Sequence, residues 1–439
     1  MSLGSGIRQL RLSRGLTQSQ LGGPELSKSF ISLVEKDRAK PSVDTLQLIA
    51  RRLGTSVDAL LGQGDHLPEM VCAGLLALSR DAIRNKEYDR ATKLLETARY
   101  VAEDRFDDVL REAKLQTAEI AVQERKFEEV WSILTEVLGA SEKARDPWHV
   151  GRALSLMGLV KMRLREFPLA LQLLEKAVTA LRRARAGRDI VRVDTLIRLG
   201  TTLGYMGDHA GAIRWFEEAA GSEIAQHDPV VRGQALWGIG QSYRKMGNLD
   251  AATRYLLEAK DAMESAEELP DFARVLKAVG QLYFEKAEFK KALRYFHQSL
   301  RTAERLRMGL TYASSLTEIA RVHLRLDNVE DAQHFGERAL HEAEKVGDPV
   351  EIAEASVVLA RIFIKKGDTS RAVALFEQAI QIFKERAIRP RVAEIARELG
   401  LFLREQGAHA KAAAYLALSL DSAKQESSWG SRVTAQTDV

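Results

Sequence analysis

Residues 240–259 read GQSYRKMGNLDAATRYLLEA, and residues 280–299 read GQLYFEKAEFKKALRYFHQS. Each stretch opens on Gly, places Ala twelve positions on (Ala252, Ala292), a large apolar residue at sixteen (Leu256, Phe296) and a small one at nineteen (Ala259, Ser299). The frame recurs from Gly158, Gly200, Ala320, Ala360 and Gly400, and more weakly from Ser79 and Ala118, in steps of about 40 residues. Apolar residues within it follow helical spacing, as in Leu196, Leu199 and Leu203, then Ile213 and Phe216. Turn signals such as Met206-Gly207-Asp208 and Met246-Gly247-Asn248 divide each copy into two helices. Small residues at fixed positions let two helices approach closely, so these anchors predict packing rather than chemistry. The function of such an array is expected on the concave face lined by the first helix of each pair, where the copies differ.

The pattern of Gly and Tyr in the first helix (Gly240 and Tyr243, Gly280 and Tyr283) with Ala and Phe or Tyr in the second resembles the tetratricopeptide repeat. That resemblance implies an all-α fold: a right-handed α-solenoid of about nine helix pairs over residues 71–426. The family period is roughly 34 residues. A step near 40 predicts helices or connections longer by one to two turns.

Composition narrows the class further. No run of eighteen apolar residues occurs, so no membrane span or membrane partner is expected. The N-terminus lacks an apolar signal core, and the single cysteine, Cys72, has no internal disulfide partner. Both fit a cytoplasmic protein. The nine histidines never fall at i, i+4 spacing, and the sequence contains no HExxH, P-loop, Cys-x-x-Cys or GxSxG motif. The chain is therefore read as a non-enzyme without catalytic residues, metal ligands or cofactors. Net charge is +4. Residues 1–62 hold nine Lys/Arg against five Asp/Glu, so the whole excess sits in the front segment and the repeats are neutral.

That front segment has five short helices by its caps and apolar spacing. Thr17 with Gln20 forms a capping box, Ser27 caps a third helix, and Ser56 caps the last. The stretches Gly15-Leu16-Thr17-Gln18, Phe30-Ile31-Ser32-Leu33-Val34-Glu35-Lys36, Lys40-Pro41-Ser42 and Leu53 to Gly62 resemble the helix-turn-helix domain of phage-repressor (Xre/Cro-type) regulators. Gly22-Gly23-Pro24-Glu25-Leu26 departs from the usual Ala-rich end of the second helix. The resemblance implies a double-stranded DNA operator as partner, with the third helix in the major groove. Ser27, Lys28, Ser29, Ser32 and Leu33 are then the base readers, and Gln18, Arg11, Arg38 and Lys40 the phosphate contacts. Arg14 is a further phosphate candidate. Glu35 is expected to hold the fold together. Heads of this type bind two half-sites as a homodimer. Residues 63–70 read as a linker, and 427–439 as a mobile tail.

On the first-helix face of the repeats, positions set by the small anchors give Gln234, Trp237, Gln241, Arg244, Arg274, Lys277, Gln281, Arg321 and Arg361. Arginines hold carboxylates bidentately and glutamines pair with backbone amides, which suits an extended short peptide or protein segment in the groove. The alternative role for these residues is pairing with neighbouring acids such as Glu285 and Glu354. The combined architecture is similar to the peptide-responsive quorum-sensing regulators of Gram-positive bacteria (RRNPP-like). It implies a regulator in which peptide binding changes the geometry of the DNA heads. Two other readings stay open: a repeat domain that docks a protein partner, and a signalling scaffold that binds no operator.

Overall fold

Two seventeen-residue helices joined by three-residue turns account for the 40-residue period. In the computed structural model, which describes residues 3–60, 66–102, 105–184, 190–264 and 270–434, a typical repeat runs Asp107–Gln123, Phe127–Lys143, then Pro147. The extra length over a shorter tetratricopeptide unit therefore lies in the helices.

The chain divides into two compact units, Met1–Ala186 and Gly187–Val439. The first holds five short helices: α1 (Leu3–Ser13), α2 (Gln18–Gly22), α3 (Lys28–Glu35), α4 (Val43–Arg52) and α5 (Val57–Leu60). They enclose a core of Ile7, Leu21, Ile31, Val34, Ile49 and Leu53. Three helix pairs follow: α6 (His66–Arg84) with α7 (Tyr88–Ala102), α8 (Asp107–Gln123) with α9 (Phe127–Lys143), and α10 (Pro147–Arg163) with α11 (Phe167–Arg183). The second unit holds six pairs. These are α12 (Ile190–Met206) with α13 (His209–Ala220), then, after the short α14 (Glu223–His227), α15 (Pro229–Lys245) with α16 (Leu249–Met263), and α17 (Pro270–Glu285) with α18 (Phe289–Arg305). The remainder are α19 (Gly309–Arg325) with α20 (Val329–Val346), α21 (Pro349–Lys365) with α22 (Thr369–Glu385), and α23 (Arg389–Glu405) with α24 (His409–Thr434). The nine expected pairs are all present. No strand occurs among the described residues, and no helix there is long and apolar enough to cross a membrane.

Each pair closes on its small anchor. A Cβ built on Gly158, Gly240 or Gly280 would lie 2.6–2.7 Å from the side chain of Leu174, Leu256 or Phe296, sixteen residues on. The large residue of the second helix thus rests on the bare backbone of the first. Leu174, Leu256 and Phe296 are fully buried as a result. Cys72 is one more packed side chain, its Sγ 3.6 Å from the Ala98 carbonyl.

Several first helices begin with an Asp-Pro pair, as at Asp146-Pro147, Asp228-Pro229 and Asp348-Pro349, where the carboxylate caps free N–H groups and proline needs none. The turn between the helices of each pair is equally regular. Its middle residue is left-handed in all nine pairs, with φ between 57° and 88°. In four pairs that residue is Gly, but in the others it is Lys86, Arg125, Arg165, Ala287 or Asp327. The geometry ties off the helix end: Asp368 N–H donates to the Phe363 carbonyl at 2.9 Å and Gly367 N–H to Ile364 at 3.0 Å.

Two expected boundaries differ. Residues 66–70 are the opening of α6 rather than linker, because Pro68 falls in the first turn, where its missing N–H has no helical acceptor to lose. Residues 63–65 lie outside the described set. Helix α24 continues through 427–434, part of the expected tail, and 435–439 lie outside the described residues.

The turn geometry gives a stability prediction. Left-handed backbone costs a residue with a Cβ about 1–2 kcal/mol, partly offset by the entropy glycine loses on folding. Ala287→Gly should therefore raise the unfolding free energy by roughly 0.5–1 kcal/mol and Gly367→Ala lower it by about as much. Paired thermal melts read both signs.

Candidate functional site

The short helices present one solvent-facing edge. Helix α3 starts where the Ser27 hydroxyl accepts from the Phe30 N–H at 3.1 Å. Its buried side is Ile31, Val34 and Glu35, which leaves Lys28, Ser29 and Leu33 exposed and Ser32 half-buried. Lys28, Ser29, Ser32 and Leu33 follow i, i+3/i+4 spacing, so they share one face. Ser27 is fixed as the cap. The capping box of α2 is complete, with Gln20 N–H on the Thr17 hydroxyl at 3.2 Å and Thr17 N–H on Gln20 Oε1 at 2.8 Å. Arg14, Arg38 and Lys40 are exposed.

Arg11 requires a correction. It is 8% exposed, and its guanidinium forks onto Glu35, Nε to Oε1 at 2.5 Å and Nη2 to Oε2 at 3.1 Å, with Nη1 on the Leu16 carbonyl at 2.7 Å. A cation spent in this way is a strut between α1 and α3, not a phosphate contact. Gln18 Nε2 also donates to Glu35 Oε2, at 2.8 Å, which uses one of its two amide hydrogens and leaves the second for a phosphate oxygen. Burial disfavours the charge on Glu35, but the bonds from Arg11 and Gln18 outweigh it and hold the carboxyl below its ordinary range. The irregular segment after α2 has its own clamp, which no local signal in the sequence announces. Arg52 of α4 donates to the Leu21 carbonyl at 3.1 Å, to the Gly22 carbonyl, and to the Glu25 carboxylate. Gly23 sits beneath it at φ 55°, where a Cβ would strike the guanidinium. The turn between α2 and α3 is therefore held from α4.

On the first-helix face of the second unit, most of the expected groove residues are paired with residues of the next repeat. Gln234 Nε2 donates to Asp271 Oδ2 at 2.6 Å, Lys277 to the Ser314 hydroxyl at 2.5 Å, and Gln281 Nε2 to Glu318 Oε1 at 2.7 Å. Arg361 forks onto Glu398 at 2.8 and 2.7 Å. All four partners stand 37 residues on, which is one repeat less one helical turn. Arg244 reaches Glu285 at 2.5 Å and Gln241 Oε1 at 2.8 Å, Arg274 reaches Asp271 at 2.7 Å, and Arg321 sits between Glu318 and Glu354 at 3.0 and 3.6 Å. The face is thus a neutral ladder rather than a free cationic row. In the first unit the corresponding face holds a buried Arg152 between Glu112 and Glu119.

The ladder opens beside α15. A cavity of about 610 Å³ lies among α12, α13, α15 and the start of α17. Trp237 and Phe216 form its apolar wall, and Gln241, Arg244, Lys245 and His209 its polar one. Trp237 Nε1 is buried without a hydrogen-bond partner, and Lys245 makes no ion pair among the described residues. Burial, then the charge of Lys245, keeps His209 below its ordinary pKa and so favours the neutral ring. Room comes from glycine: a Cβ on Gly204 would meet nothing within 4 Å. Of the expected groove residues, Gln234, Trp237, Gln241 and Arg244 line this cavity, while Arg274, Lys277, Gln281, Arg321 and Arg361 do not. Ile197, Gly204 and His209 do not stand out in the sequence; a small residue four after the Gly200 anchor was the available signal for Gly204.

Comparison with known proteins bears on both parts. Residues 7–60 match the helix-turn-helix family, 149–221 the tetratricopeptide repeat, and 222–434 the MalT-like TPR region. The chain thus carries a helix-turn-helix domain followed by tetratricopeptide repeats. It is 41% identical over 70 residues to the immunity repressor protein of Bacillus phage phi105, a match covering 16% of this chain and 49% of that protein. The chain therefore spans about half the length of that relative. In fold it is similar to a Rap protein solved with competence and sporulation factor (TM-score 0.62, 15% identity, 82% of this chain and 99% of that one). It is also similar to the quorum sensor NprR from B. thuringiensis in its apo form (TM-score 0.59, 15% identity, 81% and 99%). NprR in complex with its cognate peptide NprX aligns with a TM-score of 0.53 (15% identity, 80% and 98%).

One rung of the ladder titrates near neutrality. Burial lifts Glu351 to about 7; the Thr317 hydroxyl, 2.7 Å away, and Lys277 oppose the rise, and Glu354 and Glu318 add to it. The folded chain then binds an extra proton between the ordinary value of 4.5 and about 7, so stability falls as pH rises across that window. Glu351→Gln should remove this dependence and stabilise the second unit above pH 7 by on the order of 1–3 kcal/mol, with little effect near pH 4.5. Thermal melts of both proteins across that range test the sign.

Proposed function

We propose that the chain is a sequence-specific DNA-binding transcriptional regulator whose repeats bind a short signalling peptide. The observation that carries the peptide reading is the 610 Å³ cavity with the unpaired Lys245. Its volume lies in the ligand-site range of about 300–1,000 Å³, and it combines an aromatic wall with a few convergent polar groups. Trp237 and Phe216 suit an apolar side chain, and Lys245 suits a carboxylate of the same ligand. The complex of NprR with its cognate peptide supports the class of ligand.

The operator reading rests on α3. Its exposed Lys28, Ser29 and Leu33 and half-buried Ser32 form the base-reading face, with Lys28 suited to guanine O6/N7 and Leu33, 43% exposed, to a thymine methyl. Gln18, Arg38 and Lys40 contact phosphate. The phage repressor's likeness to this segment supports the assignment. So few base contacts discriminate poorly alone, and the chain acts as a homodimer on paired half-sites. Peptide binding changes DNA affinity to the extent that it favours one dimer geometry over another.

Two measurements test the reading. Lys28→Ala with Ser29→Ala should weaken binding to a selected operator by about 1–3 kcal/mol at each base pair these side chains read, and change random-duplex binding far less. Equal weakening on both duplexes would refute base reading. For the cavity, Gly204→Leu places a side chain into open space and improves helix propensity by up to about 1 kcal/mol, so the fold is kept. Peptides released from wild-type protein purified from its host and identified by mass spectrometry should be missing from this variant, while operator affinity persists. Retention of the same peptides would place their site elsewhere.

A further inference from the structure

Helix α18 differs from its neighbours in charge. Its seventeen residues hold Lys290, Lys291, Arg294, Arg301 and Arg305 against one acid, Glu304. The second helices on either side are acidic on balance: α16 carries Asp250, Glu258 and Asp261 against two cations, and α20 carries five acids against two. The buried side of α18 is Ala292, Phe296, Ser299 and Ala303. Lys290, Arg294, Arg301 and Arg305 follow at steps of four, seven and four, so they form one exposed row on the opposite side, roughly 22 Å long at 1.5 Å per residue.

Three cations of the row, Lys290, Arg294 and Arg301, are set apart from the ladder by their partners. Lys290 and Arg294 make no hydrogen bond or ion pair among the described residues, and Arg301 has only its own helix, Nε to the His297 carbonyl at 3.4 Å. Beside the row lies a recess of about 430 Å³, edged by Arg294, Arg301, Arg305 and Lys260, with the Gln298 amide as a neutral donor in its wall; the Thr302 hydroxyl there donates to the Gln298 carbonyl at 2.9 Å. Its acidic member, Glu264, lies 3.7 Å from Lys260.

We infer that this row is a second nucleic-acid contact, binding the sugar–phosphate backbone of duplex DNA without regard to sequence. A line of exposed cations backed by an amide donor matches a line of phosphodiester oxygens. An acidic protein partner is a poorer fit. A stable protein interface needs a dry apolar centre, and none of the exposed large hydrophobic side chains belongs to α18. Backbone contact needs no such centre, since its free energy comes largely from released counterions. This inference rests on the DNA-binding reading above.

The test uses the full chain, a random-sequence duplex of about 40 base pairs, and fluorescence anisotropy from about 50 to 200 mM salt. Each phosphate contact contributes about 0.9 to the slope of log affinity against log salt. Lys290→Gln, Arg294→Gln and Arg301→Gln together should lower that slope by about 2–3 and weaken binding at least tenfold, on random duplex and operator alike. Lysines at positions 294 and 301 should largely restore it. These side chains are exposed and their neutral replacements should leave the melting profile intact. An unchanged slope in a variant that melts normally would overturn the inference and leave base reading by α3 standing. A change in sedimentation without a change in slope would assign the row to a contact between copies, and would also overturn it. Wild-type protein that binds no duplex at any salt would sink the regulator reading together with this one.

Discussion

The structure depends on how closely the two helices of each repeat can lie. Side-chain bulk normally sets that distance, and here one partner supplies none. Glycine at positions 158, 240 and 280 lets Leu174, Leu256 and Phe296 rest on backbone, where a single added carbon would fall within 2.7 Å. Everything else in the repeat follows from that contact. The large residue becomes fully buried, alanines flank it so the helices stay nearly in register, and the connecting turn must reverse direction in three residues. A left-handed residue in that turn meets the last demand, even where it carries a side chain. The repeat thus concentrates its conformational cost in the turn and its packing gain sixteen residues away.

This division explains what was legible in the sequence. The anchors were, because close approach tolerates so few residue types that they recur in register. The caps at Thr17 and Ser27 were, because a hydroxyl at that place has a defined acceptor role. The ladder was not. Gln234, Gln281 and Arg361 stood out as groove residues, but their partners Asp271, Glu318 and Glu398 lie 37 residues away in the next repeat, and nothing local announces the pairing. Arg11 was misread for a similar reason: an arginine near a DNA-reading helix looks like a phosphate contact until Glu35 is found folded against it. The start of α6 was hidden by Pro68, whose reputation as a helix breaker does not extend to the first turn.

Electrostatics separates the parts by function more clearly than net charge does. On the first-helix face, cation and carboxylate alternate and cancel. On α18, Lys290, Arg294 and Arg301 have no carboxylate partner among the described residues. On the exposed face of α3 the charge is a single lysine set beside hydroxyls. In the function we propose, the same residue type stiffens one surface, meets a polyanion at another and reads sequence at a third. The difference lies in what stands within 4 Å, not in composition.

The ladder also filters what can enter the groove. Most rungs already hold a tethered carboxylate, and a tethered group competes as though present at about millimolar concentration or more. A free acid in solution would have to displace it rung by rung, and dilute metabolites bearing one carboxylate would fail to do so. Only a molecule that also fills the space beside Trp237 gains enough from apolar contact to hold its place. In the function we propose, the protein thus carries its own competitors at the rungs of Gln234, Gln281 and Arg361, and Lys245 stands without one among the described residues.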